Sequence, residues 1–320
     1  MWAGKEMVVF GSQTTRQEDG AVLASRQVAA AYEPATNRWR RLLPPLVRAS
    51  LQGPFSLAWT GREVLVWGPF VAEAYDPARN RWRTLPPSPI GRVGGIVVWT
   101  GRELIGWGGG CCGDAFADGA AYDAATNRWR KLPPSPLAGS QHPLGAWTGR
   151  ELVIFVDGIG PDGKPLPSRL ARAAAYNPTT RTWRRLAPSP SPRAGAKAVW
   201  DGRELLVVGG AATPLAYDPA RNRWRSLRRM DAARIGFAAV WTGKRLLLWG
   251  GTAGSPATPS IPAHGLSYDP TGNRWTALPP APILGRADPA AVWTGRALVV
   301  WGGGTSVPAF ADGAAFTPSG

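Results

Sequence analysis

The decapeptide AYDPARNRWR stands at positions 74–83 and returns, letter for letter, at 216–225. Ten identical residues so far apart mark the chain as a repeat, and a repeat restricts the fold to stacked copies of one small unit. The parts of the phrase recur from end to end. A Trp, a small residue and a Gly appear as Trp2-Ala3-Gly4, Trp59-Thr60-Gly61, Trp99-Thr100-Gly101, Trp147-Thr148-Gly149, Trp200-Asp201-Gly202, Trp241-Thr242-Gly243 and Trp293-Thr294-Gly295. A short apolar run follows each, then a loop of variable length, then Tyr-Asp-Pro or a near variant. A final Trp closes the unit at Trp39, Trp82, Trp129, Trp183, Trp224 and Trp275. The distance between the decapeptides is three periods of about 47 residues.

Each period predicts four short strands. A small-residue strand such as GFAAVW (236–241) turns through Thr-Gly into an apolar strand such as LLLWGG (246–251). Gly at the end of a two-residue turn takes positive φ without steric cost. Ala-Tyr-Asp forms the third strand, and a Pro-x-x-Asn turn leads to the fourth, Arg-Trp-Arg-x-Leu; Pro presets such a turn and Asn tolerates the left-handed position. A Pro-rich link crosses to the next unit. No segment carries the capped, amphipathic pattern of a helix. Leu65, Leu104, Val153, Leu206, Leu247 and Val299 fall at equivalent second-strand positions, so their burial should agree.

Composition fits this reading. Apolar residues make up 44%, with 17 Trp, which is ample for a core, and 40 Gly with 32 Pro supply many turns. No apolar run reaches the roughly 18–20 residues of a membrane-spanning helix, and no signal peptide is visible in MWAGKEMVVFG. The formal charge is +16, carried almost wholly by arginine, and part of that bias matches a GC-rich genome. Most of the arginines sit in the Arg-Trp-Arg and Thr-Gly-Arg elements, where they can stack on Trp or face a following Glu (Glu63, Glu103, Glu151, Glu204). No DNA- or RNA-reading motif accompanies the charge, so nucleic acid is not the expected partner. The two cysteines, Cys111 and Cys112, are adjacent and offer neither a disulfide framework nor a spaced zinc set. Neighbouring Cα atoms lie about 3.8 Å apart, short of the usual disulfide span. Two thiols are therefore expected, with a strained vicinal disulfide as the alternative.

The Gly-Gly after the second strand (108–109, 209–210, 250–251, 302–303), the Tyr-Asp-Pro and the Trp six or seven residues beyond the Tyr resemble the kelch family. The resemblance spans essentially the whole chain. It implies an all-β kelch-type β-propeller, with four-stranded antiparallel blades around a central channel. Seven blades are expected, the first and last incomplete; six blades with a surplus C-terminal hairpin is the alternative. The first unit begins at Trp2 without its innermost strand, and the last ends without its Trp-bearing strand. In kelch-like propellers the N-terminal strand often completes the last blade. The resemblance therefore implies one domain over 1–320 that lacks an N-terminal segment of roughly 20–30 residues on the scale of the repeat. A signal peptide on such a segment would make the protein secreted or surface-bound; without one it would be cytoplasmic. A monomer is expected.

The loops between strands one and two, and three and four, are short and constant, and both lie at the same end of a blade. The opposite end gathers the second-to-third-strand loops and the links, which vary from PFVA (69–72) to the long stretches 12–28, 157–172 and 252–264. Variable loops on a rigid scaffold are where binding sits. Seven residues before the Trp of each Trp-small-Gly stand Arg92, Arg193, Arg234 and Arg286, with Gln52 and Ser140 in two other units. The position precedes the innermost strand, so these side chains should approach the channel mouth on the long-loop face. The kelch resemblance implies that arginines here line a ligand pocket, and guanidinium groups suit carboxylates. The alternative is an arginine that bonds loop carbonyls as scaffold. His142 and Asp114 join the candidate ligand-binding set. The heptapeptide AFADGAA, at 115–121 and 309–315, is read as structural because it is duplicated.

Two enzyme types share the propeller. A galactose-oxidase-like copper site needs two Tyr, two His and a Cys crosslinked to a Tyr; with only His142 and His264 and both Cys in one loop, that set is missing. A sialate-mutarotase-like site would need Asp114, Asp288 or His142 beside the arginines, without a recognisable catalytic motif. The expected function is noncatalytic binding of a protein, an acidic peptide or an acidic glycan, with no cofactor and no metal. A sugar-acid mutarotase or epimerase-like enzyme, and a basic surface for an anionic polymer, are the alternatives.

Overall fold

The computed structural model describes residues 1–16, 22–46, 55–69, 71–91, 95–110, 113–156, 172–191, 194–255, 258–304 and 310–318, with backbone alone at 12–16, 22–27, 255 and 258–259. These residues form strands and turns without a helix, and the fold class is the seven-bladed β-propeller. Blades 1 to 3 belong to one compact unit and blades 4 to 7 to another. No helix among the described residues is long and apolar enough to cross a membrane.

In blades 2 to 5 the four strands pair in chain order, each antiparallel to the next. Blade 5 is representative: Lys197–Trp200, Leu205–Val208, Leu215–Asp218 and Arg223–Ser226. Blade 6 has the same order, with Ala238–Trp241, Leu246–Trp249, Gly265–Asp269 and Arg274–Ala277. Its second-to-third-strand loop adds a ribbon, where Thr252–Ser255 pairs with both Arg234–Ile235 and Thr258–Ser260. Blade 7 carries three strands, Ala290–Trp293, Leu298–Trp301 and Gly313–Phe316. Blade 1 carries four, its innermost reduced to the two residues Trp2–Ala3. The first blade is therefore incomplete by a shortened strand rather than by a missing one.

Second strands are buried on both faces, which accounts for their unbroken apolar runs. Leu65, Leu104, Val153, Leu206, Leu247 and Val299 are all at most 4% exposed. The inter-blade cores are built from facing sheets, as where Leu206 and Val208 of blade 5 pack with Leu246, Leu248 and Tyr268 of blade 6. Burying each such side chain contributes about 1.5–3 kcal/mol.

The repeated decapeptide does two jobs at once. Within its blade, Asp218 Oδ1 accepts the backbone N–H groups of Ala220 and Arg221 and caps the turn, while the Tyr217 hydroxyl donates to Asn222 Oδ1 at 2.6 Å. Asn222 takes the left-handed conformation, φ 52°, as do Asn37, Asn80, Asn127 and Asn273. Toward the preceding blade, Asn222 Oδ1 also accepts the N–H of Ala187, and Trp224 Nε1 donates to the carbonyl of the same Ala187. Asn80 and Trp82 hold Leu43 in the same way, and Asn273 and Trp275 hold Arg228. Where that residue is Pro86 there is no N–H to donate, and only the Trp129 bond is made. The phrase is written repeatedly because one turn both closes a blade and fastens it to its neighbour.

Candidate functional site

The long-loop ends of blades 5 to 7 place several sequence-singled residues together within one unit. At Ser140, Arg234 and Arg286 the residue at the arginine position is first a backbone node. The second Gly of the preceding Gly-Gly donates its N–H to that carbonyl: Gly109 to Ser140, Gly210 to Arg234 and Gly251 to Arg286, at 2.8–2.9 Å. These glycines have φ of 91°, 67° and 85°, a region that side chains disfavour.

The guanidinium groups of Arg234 and Arg286 lie wholly inside the protein. Arg234 Nη1 donates to the His264 carbonyl at 3.2 Å, and Nη2 pairs with Asp231 Oδ2 at 2.9 Å. Arg286 donates to the carbonyls of Leu284, Gly302 and Asp312 and to the Asp312 carboxylate, with the Phe310 ring centroid 4.2 Å from its Cζ. His264 and Asp312 each precede the third strand of their blade, so both arginines tie a blade entrance to its own long loop. Each keeps one donor, Arg234 Nε and Arg286 Nη2, without an acceptor among the described residues.

The carboxylates, by contrast, face solvent. Asp231 is 45% and Asp312 55% exposed. The hydrogen bond from Arg286 holds the Asp312 carboxyl below its ordinary range. Burial pushes Asp231 up, but the charge and hydrogen bond of Arg234 outweigh it and the net direction is down. Both remain ionised acceptors near neutral pH. His264 Nε2 lies 3.1 Å from Arg234 Nη2 and 3.4 Å from Asp231 Oδ2, so it stands beside both.

Lys197, absent from the sequence candidates, completes the cluster. It opens the first strand of blade 5, with Nζ 5.8 Å from the centroid of Phe237. Solvent reaches it, yet the surrounding protein lowers its pKa through burial, against the attraction of Asp288. Asp288 is left-handed, φ 47°, and donates its N–H to the Gly236 carbonyl at 2.6 Å. A Cβ at Gly236 would stand 3.1 Å from Asp288 Oδ1, so the bare glycine leaves room for that carboxylate. Ile235 and Leu284, 50% and 69% exposed, add apolar surface beside the two buried arginines.

In the other unit Ser140 is buried, while His142 and Asp114 are exposed. The 140–142 turn and Asp114 are neighbours, since Gln141 Nε2 donates to the Asp114 carbonyl at 2.8 Å. Gln52, Arg92, Arg193, Cys111 and Cys112 lie outside the described residues. The two AFADGAA copies make the same bonds: Phe116 to Gly109 and Phe310 to Gly303, Gly108 to Asp118 and Gly302 to Asp312. Among the described residues, no three His, Cys, Asp or Glu side chains are grouped to hold a metal ion.

The arrangement offers ionised acceptors held by buried arginines, an exposed ammonium donor and the ring of Phe310. Comparisons with protein-family models and with curated proteins returned no match.

Proposed function

We propose that the chain is a kelch-type, noncatalytic binding propeller whose long-loop face takes an acidic glycan. The observation that carries the reading is the pairing of wholly buried Arg234 and Arg286 with half-exposed Asp231 and Asp312, with the exposed cation Lys197 beside Phe237 in the same unit. Carboxylates accept hydrogen bonds from sugar hydroxyls, Lys197 takes the acidic group, and Phe310 supplies aromatic surface for the apolar side of the ring. In this reading Arg234 and Arg286 act through the carboxylates they hold. Such a site needs rigid donors and acceptors, which the loop-to-entrance bonds provide.

A mutarotase-like reading draws on the Asp231–His264 pair, 3.4 Å apart, as a base beside bound sugar. One experiment separates the two. Purified protein is tested on a panel of acidic and neutral oligosaccharides for binding, and by NMR for faster anomer exchange of a free sugar acid. Binding of acidic members without faster exchange supports the binding propeller. Faster exchange that disappears in His264→Gln supports the enzyme, and no preference for acidic members removes the glycan assignment.

A further inference from the structure

The repeat supplies its own reference for an irregularity at the short-loop end of blades 5 and 6. In five blades a Glu just after the first hairpin turn is clasped by an Arg on the fourth strand: Glu6 by Arg40, Glu63 by Arg83, Glu103 by Arg130, Glu151 by Arg184 and Glu204 by Arg225. Blade 6 reverses the pattern, with Arg245 in the Glu position and Thr276 in the Arg position. A carboxylate has become a cation, and the cation that would face it is gone.

The change falls on a groove of about 970 Å³ between the two blades, within the range of about 300–1,000 Å³ common for small-molecule sites. Blade 5 lines it with Asp201, Arg203, Glu204 and Arg225, and blade 6 with Trp241, Lys244, Arg245, Asp269 and Asn273 among others. The acidic residues are largely engaged. Glu204 is held by both Nε and Nη2 of Arg225, at 2.9 and 2.6 Å. Asp201 Oδ1 accepts the N–H groups of Arg203 and Glu204, and Asp269 Oδ1 those of Thr271 and Gly272. Arg225 apart, the cations are not. Arg203 and Lys244 have no ion-pair partner among the described residues, and Arg245 reaches Asp269 Oδ2 only at 3.8 Å. Asn273 Oδ1 is occupied by Tyr268 and the Arg228 N–H, which leaves its amide nitrogen as a donor.

We propose that this groove is a second binding site, separate from the long-loop face, for a small sugar that carries a carboxylate or a phosphate. Arg203, Lys244 and Arg245 take the anionic group. Trp241 offers a ring face to the sugar, and the unengaged oxygens of Asp201 and Asp269 accept its hydroxyls.

The test restores the repeat's own pair with the double variant Arg245→Glu/Thr276→Arg, which copies an arrangement that folds in five other blades. Calorimetric titration uses glucuronate, glucose 6-phosphate, glucose and inorganic phosphate, with thermal unfolding as a check on folding. Wild type should bind at least one of the two anionic sugars and not glucose. The double variant should lose about tenfold or more in affinity, the scale of a lost charged hydrogen bond, with unchanged binding of acidic glycan at the long-loop face. Lys244→Gln should weaken binding in the same direction. If neither anionic sugar binds, if the double variant binds as wild type, or if inorganic phosphate binds as tightly as the sugar phosphate, the proposal fails.

Discussion

Asn273 Oδ1 accepts the backbone N–H of Arg228 at 2.9 Å while it accepts the Tyr268 hydroxyl at 2.8 Å. One side-chain oxygen thus closes the turn of blade 6 and fastens blade 5 to it. Replacing Asn273 by Leu should remove both hydrogen bonds and strain a backbone held at φ 44°. We expect a loss of about 1–3 kcal/mol by urea unfolding. Asn273→Gly, which keeps the backbone relaxed, should recover part of the loss but not all. Full recovery by glycine would show that the hydrogen bonds contribute nothing.

The buried arginines should matter to stability first. Arg234→Met removes a charge that is paired inside the protein and leaves the His264 carbonyl without its donor. A cost of about 2–4 kcal/mol is expected, comparable to a large core truncation. Unchanged unfolding midpoints would mean that Arg234 is not a structural tie.

Acid should loosen the turns. The hydrogen bond from Arg221 lowers the Asp218 pKa, and that from Arg83 lowers the Glu63 pKa. A carboxyl with a folded pKa below its unfolded one adds stability above the unfolded value, near pH 4, and loses it as pH falls through the folded value. Urea midpoints should therefore drop from pH 6 to pH 3, and drop less in Asp218→Asn. Equal pH dependence in the two proteins would contradict the assignment.

The order of the strands was legible because each repeated letter has a local job. Tyr217, Asp218, Asn222 and Trp224 bond within a few residues or to the adjacent link, so their spacing is constant. The site was less so. Arg234 and Arg286 could be located by their distance from a Trp, but not their burial, since Asp312 comes 26 residues after Arg286 across a loop of blade-specific length. The ribbon at Thr252–Ser255 and Thr258–Ser260 was hidden for the same reason, inside what reads as a long loop. Lys197 did leave a signal: the equivalent strands open with Ser56, Ile96, Leu144, Ala238 and Ala290, none of them charged.

Alkaline pH should weaken the proposed acidic ligand early. Burial lowers the Lys197 pKa in the free protein, and an anionic ligand prefers the protonated form. Affinity should therefore be level below that lowered pKa and fall above it, before an ordinary lysine would titrate near about 10.4. The fall should be absent in Lys197→Gln. A decline that persists in the variant would assign it to another group.

The most direct measurement is a calorimetric titration of wild type and Lys197→Gln, both carrying Arg245→Glu/Thr276→Arg to silence the groove site, with digalacturonate and with its methyl ester. The account predicts that wild type prefers the free acid by about tenfold or more, the scale of one charged hydrogen bond. Lys197→Gln should bind both forms equally and no more tightly than wild type binds the ester. Equal affinity of wild type for acid and ester, or an undiminished preference in the variant, would contradict an acidic-glycan site built around Lys197.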